Sequence, residues 1–301
     1  MIIIFLKRST FIKSSLALTT IPFMGDLTTL EKMASKFGVT PTMPVLFLGH
    51  GNPMYAIQEN EFTNGFKSIV KNIPTPKAIL CISAHWLTNG TFVTAMEHPK
   101  TIHDFGGFPK ALFDVQYPAK GSFQLAEETK KLVQNTNVGL DETWGLDHGT
   151  WSVVKHLYPD ASIPVVQLSI DYSKSASYHF ELAKQLSSLR DKGVLIIGSG
   201  NIVHNLGKVD FARMDEVDYG YDWAKEARES INRLILQRND KELLNYHQLG
   251  AAVGLAIPTP DHFFPLVYAT ALRTSKDSIQ LFNDKLVAGS LSMTSVVFSQ
   301  G

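Results

Sequence analysis

Cysteine is almost missing from this chain, and its scarcity excludes two chemistries. The single residue, Cys81, sits in the apolar run Ala78-Ile79-Leu80-Cys81-Ile82. No intrachain disulfide can form and no cluster of thiolates can hold a metal, so any ion must be bound through nitrogen and oxygen. Net charge is missing too: 28 basic residues balance 28 acidic ones. That leaves no basic stripe able to neutralise phosphates and argues against nucleic acid as a partner. No G-x-G-x-x-G follows the first strand-like run and no G-x-x-x-x-G-K-[ST] occurs, which removes simple dinucleotide and P-loop sites. A linker, charge block or internal repeat is also absent from Met43 onward. With 301 residues, 44% of them hydrophobic, the composition suits one large α/β domain.

The N-terminal stretch stands apart. Lys7-Arg8-Ser9-Thr10-Phe11-Ile12-Lys13 precedes the modestly apolar Leu16-Ala17-Leu18-Thr19-Thr20-Ile21-Pro22-Phe23-Met24, an order that is signal-like and resembles a degenerate twin-arginine leader. The expectation is a leader or extension over 1–42 and a catalytic domain over 43–301, cytoplasmic or exported to the periplasm. The apolar part is too short to span a bilayer as a helix.

What is present is a repeating pattern of short β-branched, apolar runs, each followed by a turn and a segment of helical periodicity. Val45-Leu46-Phe47-Leu48, Ala78 to Ile82, Ile163 to Leu168 and Val194-Leu195-Ile196-Ile197 read as buried strands, and 61–73, 123–134, 175–189, 216–237 and 241–246 as helices. This predicts an α/β fold with a central, mostly parallel or mixed sheet flanked by helices. The segment from Pro99 to Lys120, rich in aromatics, Gly and Pro, reads as a long ordered loop, and such loops are usually functional.

Three of the strands run straight into polar clusters: Gly49-His50-Gly51-Asn52-Pro53, Ser83-Ala84-His85-Trp86 and Gly198-Ser199-Gly200-Asn201-Ile202-Val203-His204-Asn205. Ligands of open α/β sheets bind beyond the carboxyl ends of the strands, so His50, His85 and His204 are candidates for one active site. His148 in Asp147-His148-Gly149 and His262 in Pro260-Asp261-His262 occupy turn-like contexts that suit the same pocket. Imidazole is the commonest neutral ligand for Zn and Fe(II), and Asp147, Asp261 or Asn205 could orient the rings. His98, His156, His179 and His247 read as structural, with His103 intermediate. Ser199 lies in Gly-Ser-Gly, but Ile197 stands where a G-x-S-x-G nucleophile elbow needs glycine. A backbone anion site at this turn is possible, with turn-making glycine the stronger reading.

Taken in order, LFLGHGNP, ISAHW, TIHDFGGFP, GLDHGTW, IIGSGNIVHN and TPDHFFPL resemble the 4,5-DOPA extradiol dioxygenases, members of the class III extradiol ring-cleaving enzymes, from about Pro44 to the C-terminus. The resemblance implies an oxidoreductase that uses O2 to open the ring of a catechol such as L-DOPA. It implies a divalent metal, Zn(2+) or Fe(2+), on His50, His85 and His262. His204 counts as a ligand in some members and as an acid/base in others, His148 is an acid/base, and Thr101 to Pro109 borders the substrate. Ring cleavage would need Fe(II), because Zn cannot change redox state. The alternative is a zinc hydrolase or amidase that activates water on the same histidines, with Asp147 or Asp261 as base. A binding protein without metal is a third reading, disfavoured by five such histidines.

Overall fold

A computed structural model describes residues 41–214 and 216–300, which lie in one compact unit, Pro41–Gly301. The basic and apolar leader falls outside the described residues. The strands are β1 (Val45–Gly49), β2 (Ala78–Thr88), β3 (Thr91–Thr94), β4 (Val138–Asp141), β5 (Val165–Asp171), β6 (Val194–Gly200), β7 (Asp277–Phe282), β8 (Leu286–Val287), β9 (Leu291–Ser292) and β10 (Ser295–Gln300). Helices are α1 (Glu61–Val70), α2 (Lys110–Phe113), α3 (Phe123–Leu132), α4 (His148–Leu157), α5 (Ala176–Lys184), α6 (Asp222–Gln237), α7 (Asp240–Leu244), α8 (Ala251–Ala256) and α9 (Phe264–Ala271). None of them is long and apolar enough to cross a membrane.

Eight strands form one mixed sheet in the order β4-β3-β5-β2-β6-β1-β10-β7. The four strands legible in the sequence are its contiguous parallel centre, β5-β2-β6-β1. Their alternate residues feed two apolar layers. Val45 and Phe47 enter a cluster with α5, α6 and α9, whereas Leu46 and Leu48 enter another with α1 and α4. Burial on both faces is why these strands are continuously apolar rather than alternating. Antiparallel β7 and β10 close one side.

Helix starts follow local chemistry. Asn60 accepts from the Thr63 amide while its own amide donates to Thr63 Oγ1, a reciprocal cap that starts α1. The sequence-based helix over 175–189 instead breaks after Lys184 and resumes as a 3-10 turn over Ser187–Lys192, ended by Gly193 at φ 84°. The one over 216–237 starts only at Asp222, and α9 carries little of the periodicity that would have announced it.

Arg190 in that 3-10 turn is the one fully buried guanidinium among the described residues' largest buried side chains. Its fork bonds Asp277 in two parallel contacts of 2.7 and 2.8 Å, and further bonds reach the carbonyls of Met43 and Leu272, so it ties the entry of β1 to the exit of α9. Burial works to raise the Asp277 carboxyl, but Arg190 and the Thr274 amide outweigh it and hold the group ionised. Asp277→Ala is therefore expected to cost about 3–5 kcal/mol in urea denaturation, because it leaves a buried cation uncompensated. A loss under about 1 kcal/mol would mean that the guanidinium reaches water.

Candidate active site

The site forms where the central parallel strands end. β1 delivers His50, whose amide donates to the Gly200 carbonyl at the end of neighbouring β6. β2 does not stop at Ile82 as the sequence suggested; it runs on to Thr88 with a register shift against β5 between Ile82 and Leu87. His85 sits in that irregularity, where a bulge re-aims a side chain. His204 follows β6, its amide held by the Ala256 carbonyl, and His262 lies in the turn before α9.

His148 is the first residue of α4 rather than part of a turn. Asp147 caps that helix, accepting from the Thr150 amide, and also accepts from Ser83 Oγ and Gln167 Nε2 at 2.7 Å each. Glycines permit the convergence. A Cβ on Gly149 would stand 2.5 Å from Ser83 Oγ and 2.8 Å from the His85 ring, and one on Gly200 would stand 2.2 Å from the His262 carbonyl. Gly198-Ser199-Gly200 is thus strand backbone that lets the His262 turn come close, and the anion-binding turn drops out.

All five sequence-selected histidines line one cavity of about 420 Å³. The ring centroids of His50, His85 and His262 are 5.0, 5.2 and 5.0 Å apart, nearly an equilateral triangle. Imidazoles that each place a nitrogen ~2.1 Å from a common ion, at tetrahedral or octahedral angles, have centroids ~5 Å apart. His204 lies face to face with His262, centroids 3.4 Å and planes 7° apart. It can add a fourth nitrogen to the same ion only by turning out of that stack, because a ligand's lone pair lies in its ring plane.

Hydrogen bonds behind the rings fix which nitrogens face the cavity. Ser199 Oγ spends its one proton on the Gly149 carbonyl, so at 3.0 Å from His50 Nδ1 it must accept, which leaves His50 Nε2 bare. Asp261 accepts from His262 Nδ1, and His262 Nε2 is buried with no partner. Asp104 Oδ2 stands 3.3 Å from His85 Nδ1, and on the inner side His85 Nε2 lies within hydrogen-bond distance of His50 Nε2, at 3.2 Å. Neighbouring nitrogens bound ~2.1 Å from one ion stand ~3.0–3.4 Å apart, which this separation matches. The donor set therefore fits a divalent metal, and each ring has the outer partner that metal-binding imidazoles use.

Electrostatics agrees. Burial, followed by the neighbouring histidines, lowers His50 and His85 well below the usual imidazole range, and burial chiefly brings His204 down to about 3. These rings are neutral at physiological pH, the form that ligates. Asp261 stays ionised, since the His262 bond outweighs the burial that would raise it. Asp147 moves the other way, raised by burial and the charge of Asp104.

Of the outer partners expected from sequence, Asp261 serves as anticipated. Asp147 instead caps α4 from a fully buried position, and Asn205 donates its amide to the Leu255 carbonyl. Asp104, in the aromatic loop, was missed although His103-Asp104 stood in a motif; nothing in one sequence told that this carboxylate turns inward. His103 points away and bonds the Val115 carbonyl, His156 bonds that of Tyr55, and His179 lies between Tyr268 Oη and the Asp171 carbonyl. Ser199 has no nucleophile's exposure; it is buried behind His50.

Comparison with known proteins adds independent support. The family model described as the catalytic LigB subunit of aromatic ring-opening dioxygenase matches residues 44–298. The chain is 45% identical over 260 residues to the 4,5-DOPA dioxygenase extradiol of Escherichia coli (strain K12), covering 84% of this chain and 94% of that protein. It is 34% identical over 259 residues to the one from Beta vulgaris, covering 84% and 95%. The crystal structure of an uncharacterized protein from Escherichia coli K12 superposes with a TM-score of 0.71 at 40% identity, covering 86% of this chain and 100% of that one.

Proposed function

Because this chain belongs to the LigB family of aromatic ring-opening dioxygenases and is an oxidoreductase of the 4,5-DOPA extradiol type, we propose that its histidine cluster holds the metal at which O2 opens a catechol such as L-DOPA. His50, His85 and His262 hold the ion, Fe(II) in the working enzyme, and His204, stacked on His262, would join them only by turning out of that stack. The observation that carries this reading is the triangle of centroids about 5 Å apart, with the Nε2 atoms of His50 and His85 facing each other at 3.2 Å and that of His262 buried without a partner. When bound, such an ion makes the catechol hydroxyls more acidic and exchanges electrons with O2.

The chain's own residues do the rest. Phe105 and Phe108 on one wall, with Leu206, Val209 and Met214 on another, give an aromatic ring apolar surfaces and exclude water. His148 borders the cavity beside Phe105, centroids 5.4 Å apart and edge to face, where it can take a proton from the substrate and return it. His204, which also lines the cavity, is the second group able to move a proton.

Protein reconstituted with Fe(II) without oxygen should, on exposure to O2 and a catechol, consume oxygen and form a yellow ring-opened product, while Zn(II)-loaded protein should not. Ester or amide hydrolysis by the Zn(II) form, with no oxygen uptake by the Fe(II) form, would favour the hydrolase reading. That reading has lost its expected bases, since Asp147 is buried in the α4 cap and Asp261 is engaged by His262.

A further inference from the structure

Asp104 is the one carboxylate among the described residues that line the cavity, and nothing in the reaction outlined above uses it. One of its oxygens serves two rings. Oδ2 stands 3.3 Å from His85 Nδ1 and 2.9 Å from His148 Nδ1, both charge contacts rather than hydrogen bonds. Oδ1 accepts the His148 backbone amide at 2.8 Å, so the same carboxylate grips both the ring and the main chain at the start of α4.

The loop that carries Asp104 is held in register. The Ile102 amide donates to the Leu146 carbonyl, the Leu146 amide to the Lys100 carbonyl, and Trp151 Nε1 to the Ile102 carbonyl, at 2.7–2.8 Å. The carboxylate is therefore placed by an anchored backbone and not by a free surface rotamer. The two rings it touches lie with centroids 3.9 Å apart, so neither can turn without meeting the other. The His148 contact outweighs the burial that would raise the Asp104 carboxyl, which stays ionised.

We propose that Asp104 is a positioning residue that couples the two halves of the site, holding His85 with its Nε2 toward the ion and His148 with its Nε2 toward the substrate. It rests on the assignment of His85 as a ligand and His148 as a proton carrier. An anionic oxygen shared by two Nδ1 atoms keeps the proton of each ring on its own side, and both inward nitrogens are left bare. Removing it loosens ion binding and proton transfer together, which no group attached to only one ring would do.

The test uses Asp104→Ala, with Asp104→Asn as the variant that keeps the shape and drops the charge. Competitive titration with Co(II) on metal-free protein should give one ion per chain in both, bound ~10–100-fold more weakly than by the unaltered protein. In Zn(II)-loaded protein carrying ¹⁵N-labelled histidine, His148 should carry its proton on Nδ1, and Asp104→Ala should shift that population toward Nε2. At saturating Fe(II), kcat for a catechol should fall ~10–100-fold, and the same change on a His148→Ala background should cost no further kcat yet still weaken Co(II) binding. Unchanged Co(II) affinity would remove the hold on His85. An unchanged His148 tautomer, or an equal kcat loss with and without His148, would remove the hold on His148. Should unaltered Fe(II) protein open no catechol, the dioxygenase assignment fails, while the Co(II) and ¹⁵N measurements still decide the role of Asp104.

Discussion

His50→Ala is expected to yield a folded protein that neither retains a divalent metal through purification nor consumes oxygen with a catechol. His50 supplies one corner of the triangle and is 4% exposed, so its loss leaves a buried gap beside His85 and His262 and removes one of the three proposed ligands. The fold should survive, because Ser199 keeps its bond to the Gly149 carbonyl and the β1 register against β6 is made by backbone alone. Elemental analysis together with a thermal melt separates the two outcomes. Full metal occupancy in a protein with a normal melt would remove His50 from the ligands and break the geometric case for the site.

His148→Ala should behave differently: metal content unchanged and kcat down ~10²–10⁴-fold, the usual cost of losing a positioned acid/base group. Its ring sits against His85 and perpendicular to that of Phe105, and it heads α4 without being needed to form it, since Asp147 makes the cap. Ligand atoms of His50, His85 and His148 lie within 4.8 Å of one another, whereas His262 meets that spacing with His204 and Asp261. Metal analysis of this variant is therefore the deciding measurement. Loss of the ion along with turnover would make His148 a ligand and transfer the proton-moving role to His204.

How far the sequence reached can be seen strand by strand. β1, β2, β5 and β6 were legible because both of their faces are buried, so their residues are apolar without interruption. β3, β4 and β7 lie at or near the two sides of the sheet, are short or partly exposed, and left no such run. α9 was hidden for the opposite reason: every residue from Phe264 to Ala271 is buried, so it has no polar face to reveal a period.

The five histidines were legible as candidates because each follows an apolar run that reads as a strand or lies in a turn-like stretch punctuated by glycine or proline, although His85 proved to lie within β2 and not past its end. The single cysteine settled by itself that the donors must be nitrogen and oxygen. Which histidines face one another was not legible, since contacts between residues 50, 85, 148, 204 and 262 depend on how parallel strands far apart in the chain are ordered in the sheet. The same holds for the carboxylates. Asp147 and Asp261 look alike as neighbours of histidine in sequence, yet one is sealed into a helix cap and the other backs a ring, while Asp104 reaches the site from a loop whose path is set by bonds to Leu146 and Trp151. Residue type fixes what chemistry a side chain can do; only the packing of strand ends against loop and turn decides which nitrogens are left bare toward a common ion.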